Sequence, residues 1–183
     1  GIRERKGFVQ LTGEVGAGKT TLCRALLDQL GDGFSTALIL NPALDPDGLI
    51  RNIGLEFGLN VKGLDRFEMI GEINHFLLDQ MEQGRDTVLI IDEAQTLTNE
   101  LLEQVRLLSN LETDERKLLQ IVLRGQPELR ARLNDPSLRQ LRQRITVRYH
   151  LSPLRQTEVG AYVHHRLAIS GANGTPYFTT PAL

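Results

Sequence analysis

Gly13-Glu14-Val15-Gly16-Ala17-Gly18-Lys19-Thr20 matches the pattern G-x-x-x-x-G-K-[ST] and lies between two segments of opposite periodicity. Before it, Phe8-Val9-Gln10-Leu11 reads as a short buried strand. After it, Thr21-Leu22-Cys23-Arg24-Ala25-Leu26-Leu27 opens a helix from about Gly18 to Leu30, with apolar residues at Leu22, Ala25, Leu26 and Leu30. Strand, glycine-rich turn and helix, in that order, make a phosphate cradle. The glycines let successive N–H groups point inward, and the helix N-terminus adds its positive dipole end. The expected contacts are Gly13, Glu14, Val15, Gly16, Ala17, Gly18, Lys19, Thr20 and Thr21. Lys19 would reach the β- and γ-phosphates of ATP, and the Thr20 hydroxyl would ligate Mg²⁺. A ligand-free glycine turn would not need both flanks in place.

Further along, Thr87-Val88-Leu89-Ile90-Ile91 is an apolar run of the kind buried inside a parallel sheet, and it ends in Asp92-Glu93. Ligands of open α/β sheets bind at the carboxyl ends of the strands. Asp92 is placed to hold Mg²⁺ and its waters, and Glu93 to orient or deprotonate a water attacking the γ-phosphate. An apolar run ending in two carboxylates is commonplace alone. Paired with the phosphate loop, it points to ATP hydrolysis rather than nucleotide binding only.

The other strand candidates are Ser35–Leu40, Leu118–Leu123 and Ile145–Leu151, each separated from the last by helical patterns. Asp45-Pro46-Asp47-Gly48 lacks the later ligands of a calcium loop and reads as a helix cap. Asp65 caps a longer helix in which Phe67, Ile70, Ile73, Phe76, Leu77 and Met81 keep helical spacing. A helix from Asn99 to Leu111 follows, with Leu101, Leu102, Val105, Leu108 and Leu111 inward. Gln126, just past the fourth strand, shares an edge with Asp92 and Glu93 and is either a γ-phosphate sensor or a turn residue. Short helical segments over 127–134 and 137–144 and a last helix over 156–170 complete the pattern.

The 24% charged content and 40% hydrophobic content belong to an ordinary globular chain, and the net charge of −2 gives no global field favouring nucleic acid or anionic lipid. Only four basic residues are lysines, and many arginines crowd between Arg116 and Arg166. That cluster is a solvated face, a nucleic-acid contact or a finger offered to a neighbouring subunit. It lacks the interleaved aromatics of single-strand binding surfaces. Cys23 has no partner for an intrachain disulfide and fits a reducing, cytoplasmic setting. His75 and the adjacent pair His164-His165 lack metal-ligand spacing. The chain opens on Gly1 rather than Met and is expected to be a fragment.

The phrases outside the phosphate loop carry a closer resemblance. Gly7-Phe8-Val9 with Leu11–Leu22, Ile91-Asp92-Glu93-Ala94-Gln95, Leu119–Leu123 with Gly125-Gln126-Pro127-Glu128-Leu129, Gln143-Arg144-Ile145 and Leu151-Ser152-Pro153-Leu154 together resemble the AAA+ ATPases of the general secretion pathway protein A (ExeA-like) family. MSHA-pilus and exopolysaccharide-locus ATPases share this wording. The resemblance implies a three-layer αβα sandwich around a parallel sheet of order 5-1-4-3-2. It implies an ATPase core over 1–151 and the start of a helical lid over 152–183. It also implies an Mg²⁺-dependent ATP hydrolase that forms homo-oligomers, sits on the cytoplasmic face of the inner membrane, and drives assembly of a secretion or pilus complex. Gln126 takes the sensor role, Asn41 would hold Glu93 inactive until ligand arrives, and Arg144 is the trans-acting finger, with Arg142 or Arg139 as substitutes. The family's adenine-packing segment and second sensor arginine fall outside the chain, as do its membrane helix and peptidoglycan-binding domain. A DNA-associated AAA+ ATPase of the transposition-helper kind, and a nucleotide-gated switch with slow turnover, are the alternative functions.

Overall fold

The computed structural model describes residues 7–40, 42, 45–113 and 116–171. Five strands, Phe8–Gly13 (β1), Phe34–Ile39 (β2), Asp86–Ile91 (β3), Leu119–Gly125 (β4) and Ile145–Leu151 (β5), pair in parallel in the order β2-β3-β4-β1-β5. Read from the other edge this is 5-1-4-3-2, the expected α/β arrangement. Alternation along the strands explains why the sheet lies between two layers. Leu89, Ile91, Ile121 and Leu123 belong to one apolar cluster, whereas Val88, Ile90 and Val122 belong to another on the opposite face.

The larger cluster is completed by helices Pro46–Glu56 (α2), Arg66–Glu82 (α3), Asn99–Leu108 (α4), Glu128–Arg132 (α5) and Arg139–Arg144 (α6). Their starts are set by side chains. Asp45 accepts the Gly48 N–H at 2.7 Å with Pro46 in the first turn, so the calcium-like segment is a cap. Asp65 and Glu68 form a reciprocal capping box, and Thr98 accepts the Leu101 N–H at 3.2 Å.

Two inward faces differ from the sequence expectation. In α3 the cap fixes the phase so that Met69, Ile73, Leu77 and Gln80 point inward, leaving Phe67 86% exposed. In Lys19–Leu30 (α1), Lys19, Cys23 and Leu30 are the buried residues, while Leu22 is 40% exposed and Ala25 is exposed. Lys19 turns toward the loop, so Cys23 and Leu30, one and three turns further along its side, follow it inward, with Leu26 partly buried between them. The fourth helix ends at Leu108, and Leu111 packs only partly against the core.

The chain divides after Leu151 into two compact units. Within the second, Gln156–Ile169 (α7) buries none of its residues. Among the described residues, no helix is long and apolar enough to cross a membrane.

Candidate active site

The carboxyl ends of β1, β3 and β4 converge, because β4 is hydrogen-bonded to both of the others. From β1 the chain enters the loop through Gly13, where a Cβ would stand 2.7 Å from the Leu151 carbonyl oxygen, so the close approach of β5 excludes a side chain. Gly16 (φ 80°) and Gly18 (φ 87°) take left-handed conformations with open space beside them. The loop closes with the Ala17 N–H donating to the Glu14 carbonyl at 3.1 Å. Lys19, 7% exposed, folds back over it and donates from Nζ to the carbonyls of Gly13 (2.6 Å) and Glu14 (2.8 Å). Glu14, Val15, Thr20 and Thr21 are exposed.

Asp92 follows β3, its N–H donating to the Ile39 carbonyl at 2.8 Å, and it is 6% exposed. Its carboxylate is forked by Arg124 of β4: Nε donates to Oδ1 at 2.5 Å and Nη2 to Oδ2. The same Nη2 donates to the Thr20 hydroxyl at 3.1 Å. Burial pulls the Arg124 guanidinium toward its neutral form, but Cys23 and Asp92 beside it outweigh that and hold its pKa above the ordinary value. One guanidinium thus touches both side chains expected to hold Mg²⁺, so the two lie around a common group. A hydroxyl and a carboxylate are the hard oxygen donors that Mg²⁺ takes, so these residues fit the ion.

Glu93 is the only non-glycine residue with positive φ (48°) among the described residues, a conformation uncommon outside glycine and characteristic of strained functional positions. Its N–H donates to Asp92 Oδ1 at 2.8 Å. Its Oε2 accepts from Gln95 Nε2 at 2.6 Å and from Gln126 Nε2 at 3.3 Å. Gln95 Oε1 in turn accepts the Gln126 N–H at 3.1 Å, and the Gln95 carbonyl accepts from Arg132 at 3.1 Å. Gln126 therefore does meet Glu93. Asn41 lies outside the described residues.

Sequence reasoning missed two members of the site. Arg124 carried a signal, since it is the one charge at the end of an apolar strand, two residues from Val122 and hence on the same side as α1. Gln95 carried none, because a glutamine in the 3-10 turn Ala94–Thr96 looks like any other turn residue.

The candidate fingers stand apart from this cluster. Arg144 donates to Ser109 Oγ at 2.5 Å and to the Arg106 carbonyl at 3.3 Å, at the C-terminal end of α4. Arg142 contacts Asn134 Oδ1 at 3.5 Å, whereas Arg139 is exposed. Arg130, Arg142 and Arg148 line a cavity of about 260 Å³ with Gln10, Leu133 and Asn134.

Residues 2–133 match the family model described as an AAA domain. The chain belongs to the AAA domain family. Over 184 aligned residues, this AAA domain is 50% identical to General secretion pathway protein A of Aeromonas hydrophila, covering 100% of this chain and 34% of that protein. It therefore spans about a third of that relative. Among solved structures, the ORC2 protein of Aeropyrum pernix, in its ADPNP–ADP complexes, matches with a TM-score of 0.67 and 16% identity over 92% of this chain and 48% of that one. Cdc6p from Pyrobaculum aerophilum matches with a TM-score of 0.65 and 20% identity over 88% and 43%. At these identities the AAA domain shares their fold.

Proposed function

We propose that this AAA domain binds ATP with Mg²⁺ and hydrolyses it, and that in its full-length protein it does so as a homo-oligomer on the cytoplasmic face of the inner membrane, assembling a secretion or pilus complex. The observation that carries the chemistry is the pair Asp92 and Glu93, one buried and one partly exposed, at the end of β3, with Asp92 linked to Thr20 through Arg124. In this reading Gly13 to Thr21 cradle the phosphates by their backbone N–H groups, and Lys19 leaves the loop carbonyls to meet the β- and γ-phosphates. Thr20 and Asp92 hold Mg²⁺, which supplies charge neutralisation at the phosphates when bound. The Glu93 carboxylate orients the attacking water and takes its proton, while Gln126 sits where the γ-phosphate can be sensed. Residues 152–183 begin a helical lid. The finger comes in trans from α6, where Arg139 is free to reach outward and Arg144 would first leave Ser109.

The assembly role rests on the likeness to General secretion pathway protein A. Calorimetry with Mg·ATP should give saturable binding that Lys19→Ala abolishes, and Glu93→Gln should bind but not turn over. Absence of binding by the folded wild-type chain would refute the proposal. Mixing Arg144→Ala with Lys19→Ala subunits should restore some activity if the finger acts in trans; Arg139→Ala mixtures show which arginine serves. The basic cavity at Arg130, Arg142 and Arg148 favours a second reading, a DNA-associated ATPase, and DNA-stimulated hydrolysis that falls steeply with salt would support it. The two amides on Glu93 favour a slow nucleotide-gated switch, and a Glu93→Gln variant with unaltered turnover would point there.

A further inference from the structure

We propose that Arg124 is a tethered cation that competes with the divalent metal for Thr20 and Asp92 and so sets the metal affinity of the site. The inference rests on the Mg²⁺ reading above. Its basis is that a single guanidinium engages the two side chains that reading assigns to the metal: Nε and Nη2 fork the Asp92 carboxylate, and Nη2 also reaches Thr20 Oγ1 at 3.1 Å. An arginine that merely neutralised a buried aspartate would not need the loop hydroxyl. Both members of the ion pair are almost fully buried, at 4% and 6% exposure, so water screens their attraction little. A bidentate fork also occupies both carboxylate oxygens, the atoms with which Asp92 would hold a metal. A metal must therefore share or displace the guanidinium, and its binding free energy is reduced by that disruption.

The test uses Mn²⁺ as a paramagnetic probe, titrated into the ADP-loaded chain and followed by electron paramagnetic resonance. Arg124→Gln removes charge and fork; Arg124→Lys keeps the charge and loses the fork. Both should bind Mn²⁺ about ten- to hundredfold more tightly than wild type, the range over which groups around a metal's ligands alter affinity. Unchanged or weaker binding in both would overturn the inference. Tightening in Arg124→Gln alone would overturn it too, since the cause would then be field rather than competition for ligands. If neither variant folds, the wild-type chain still decides: the Arg124 Nε–Hε resonance should move and exchange faster with solvent when Mg²⁺ is added to the ADP-loaded chain. An unmoved resonance despite Mg²⁺ binding overturns the inference. Failure of the Mg²⁺ reading looks different, because ADP-loaded wild type would then bind no Mn²⁺ that Asp92→Asn abolishes.

Discussion

Asp92 and Glu93 are neighbours in the chain, yet the clusters around them are built on opposite terms. Asp92 is buried, and its partner is a buried guanidinium that also holds the phosphate-loop hydroxyl. Glu93 is partly exposed, left-handed in its backbone, and held by two neutral side-chain amides. Removing one partner of a buried ion pair strands the other charge and costs about 3–5 kcal/mol. A hydrogen bond to a neutral amide contributes closer to about 1 kcal/mol. The difference gives Asp92, the metal ligand of the proposed reading, a rigid electrostatic frame, and Glu93, its proposed base, a setting from which the carboxylate can be released. It also makes the two residues separable by experiment.

The largest contrast should come from Asp92→Ala, which strands Arg124 and is expected to lower unfolding stability by about 3–5 kcal/mol in denaturant melts. An equal loss in Glu93→Ala would break the comparison. Glu93→Gln should leave the melt and Mg·ATP affinity near wild type while lowering turnover by about 10²–10⁴-fold, the range for loss of a general base. Gly125→Ala tests the water side alone. Its Cβ would collide with Gln95 Oε1 and press on Leu129, so a cost of about 1–3 kcal/mol is expected from overpacking, together with altered turnover and unchanged Mn²⁺ affinity. Gln95→Ala, which deletes one amide donor, should cost about 1 kcal/mol and change turnover more than ADP affinity in calorimetry.

The smallest effect is a control on an exposed carboxylate that belongs to neither cluster. Asp135 accepts from the Ser137 hydroxyl (2.6 Å) and N–H (2.8 Å), and these bonds hold its pKa below the ordinary aspartate value. A depressed folded-state pKa contributes stability at neutral pH that is lost as pH falls through that value. Carboxyl NMR titration should show the low pKa, and Ser137→Ala should bring it back up.

Much of this was legible without coordinates. The alternation of apolar strands with amphipathic helices was enough for a parallel α/β sheet covered on both faces, whereas the order of its strands came from the family resemblance. The candidate phosphate loop announced itself by its G-x-x-x-x-G-K-[ST] spacing between a strand and a helix, and Asp92-Glu93 by ending an apolar run. Helix phase was harder. Phe67 and Leu22 sit at apolar spacing yet face outward, since the Asp65 cap and the turn of Lys19 into the loop fix rotations that periodicity alone leaves free.

Local pattern thus settles which segments become strands and helices and which turn is the candidate phosphate cradle, because strand, turn and helix preferences act over a few neighbouring residues. Partnership across β3 and β4 is a different matter. Arg124 becomes the counter-ion of Asp92, and Gln95 the bridge between Glu93 and Gln126, only once separate segments are packed side by side. Such pairings depend on distances through space, to which no spacing along the chain corresponds.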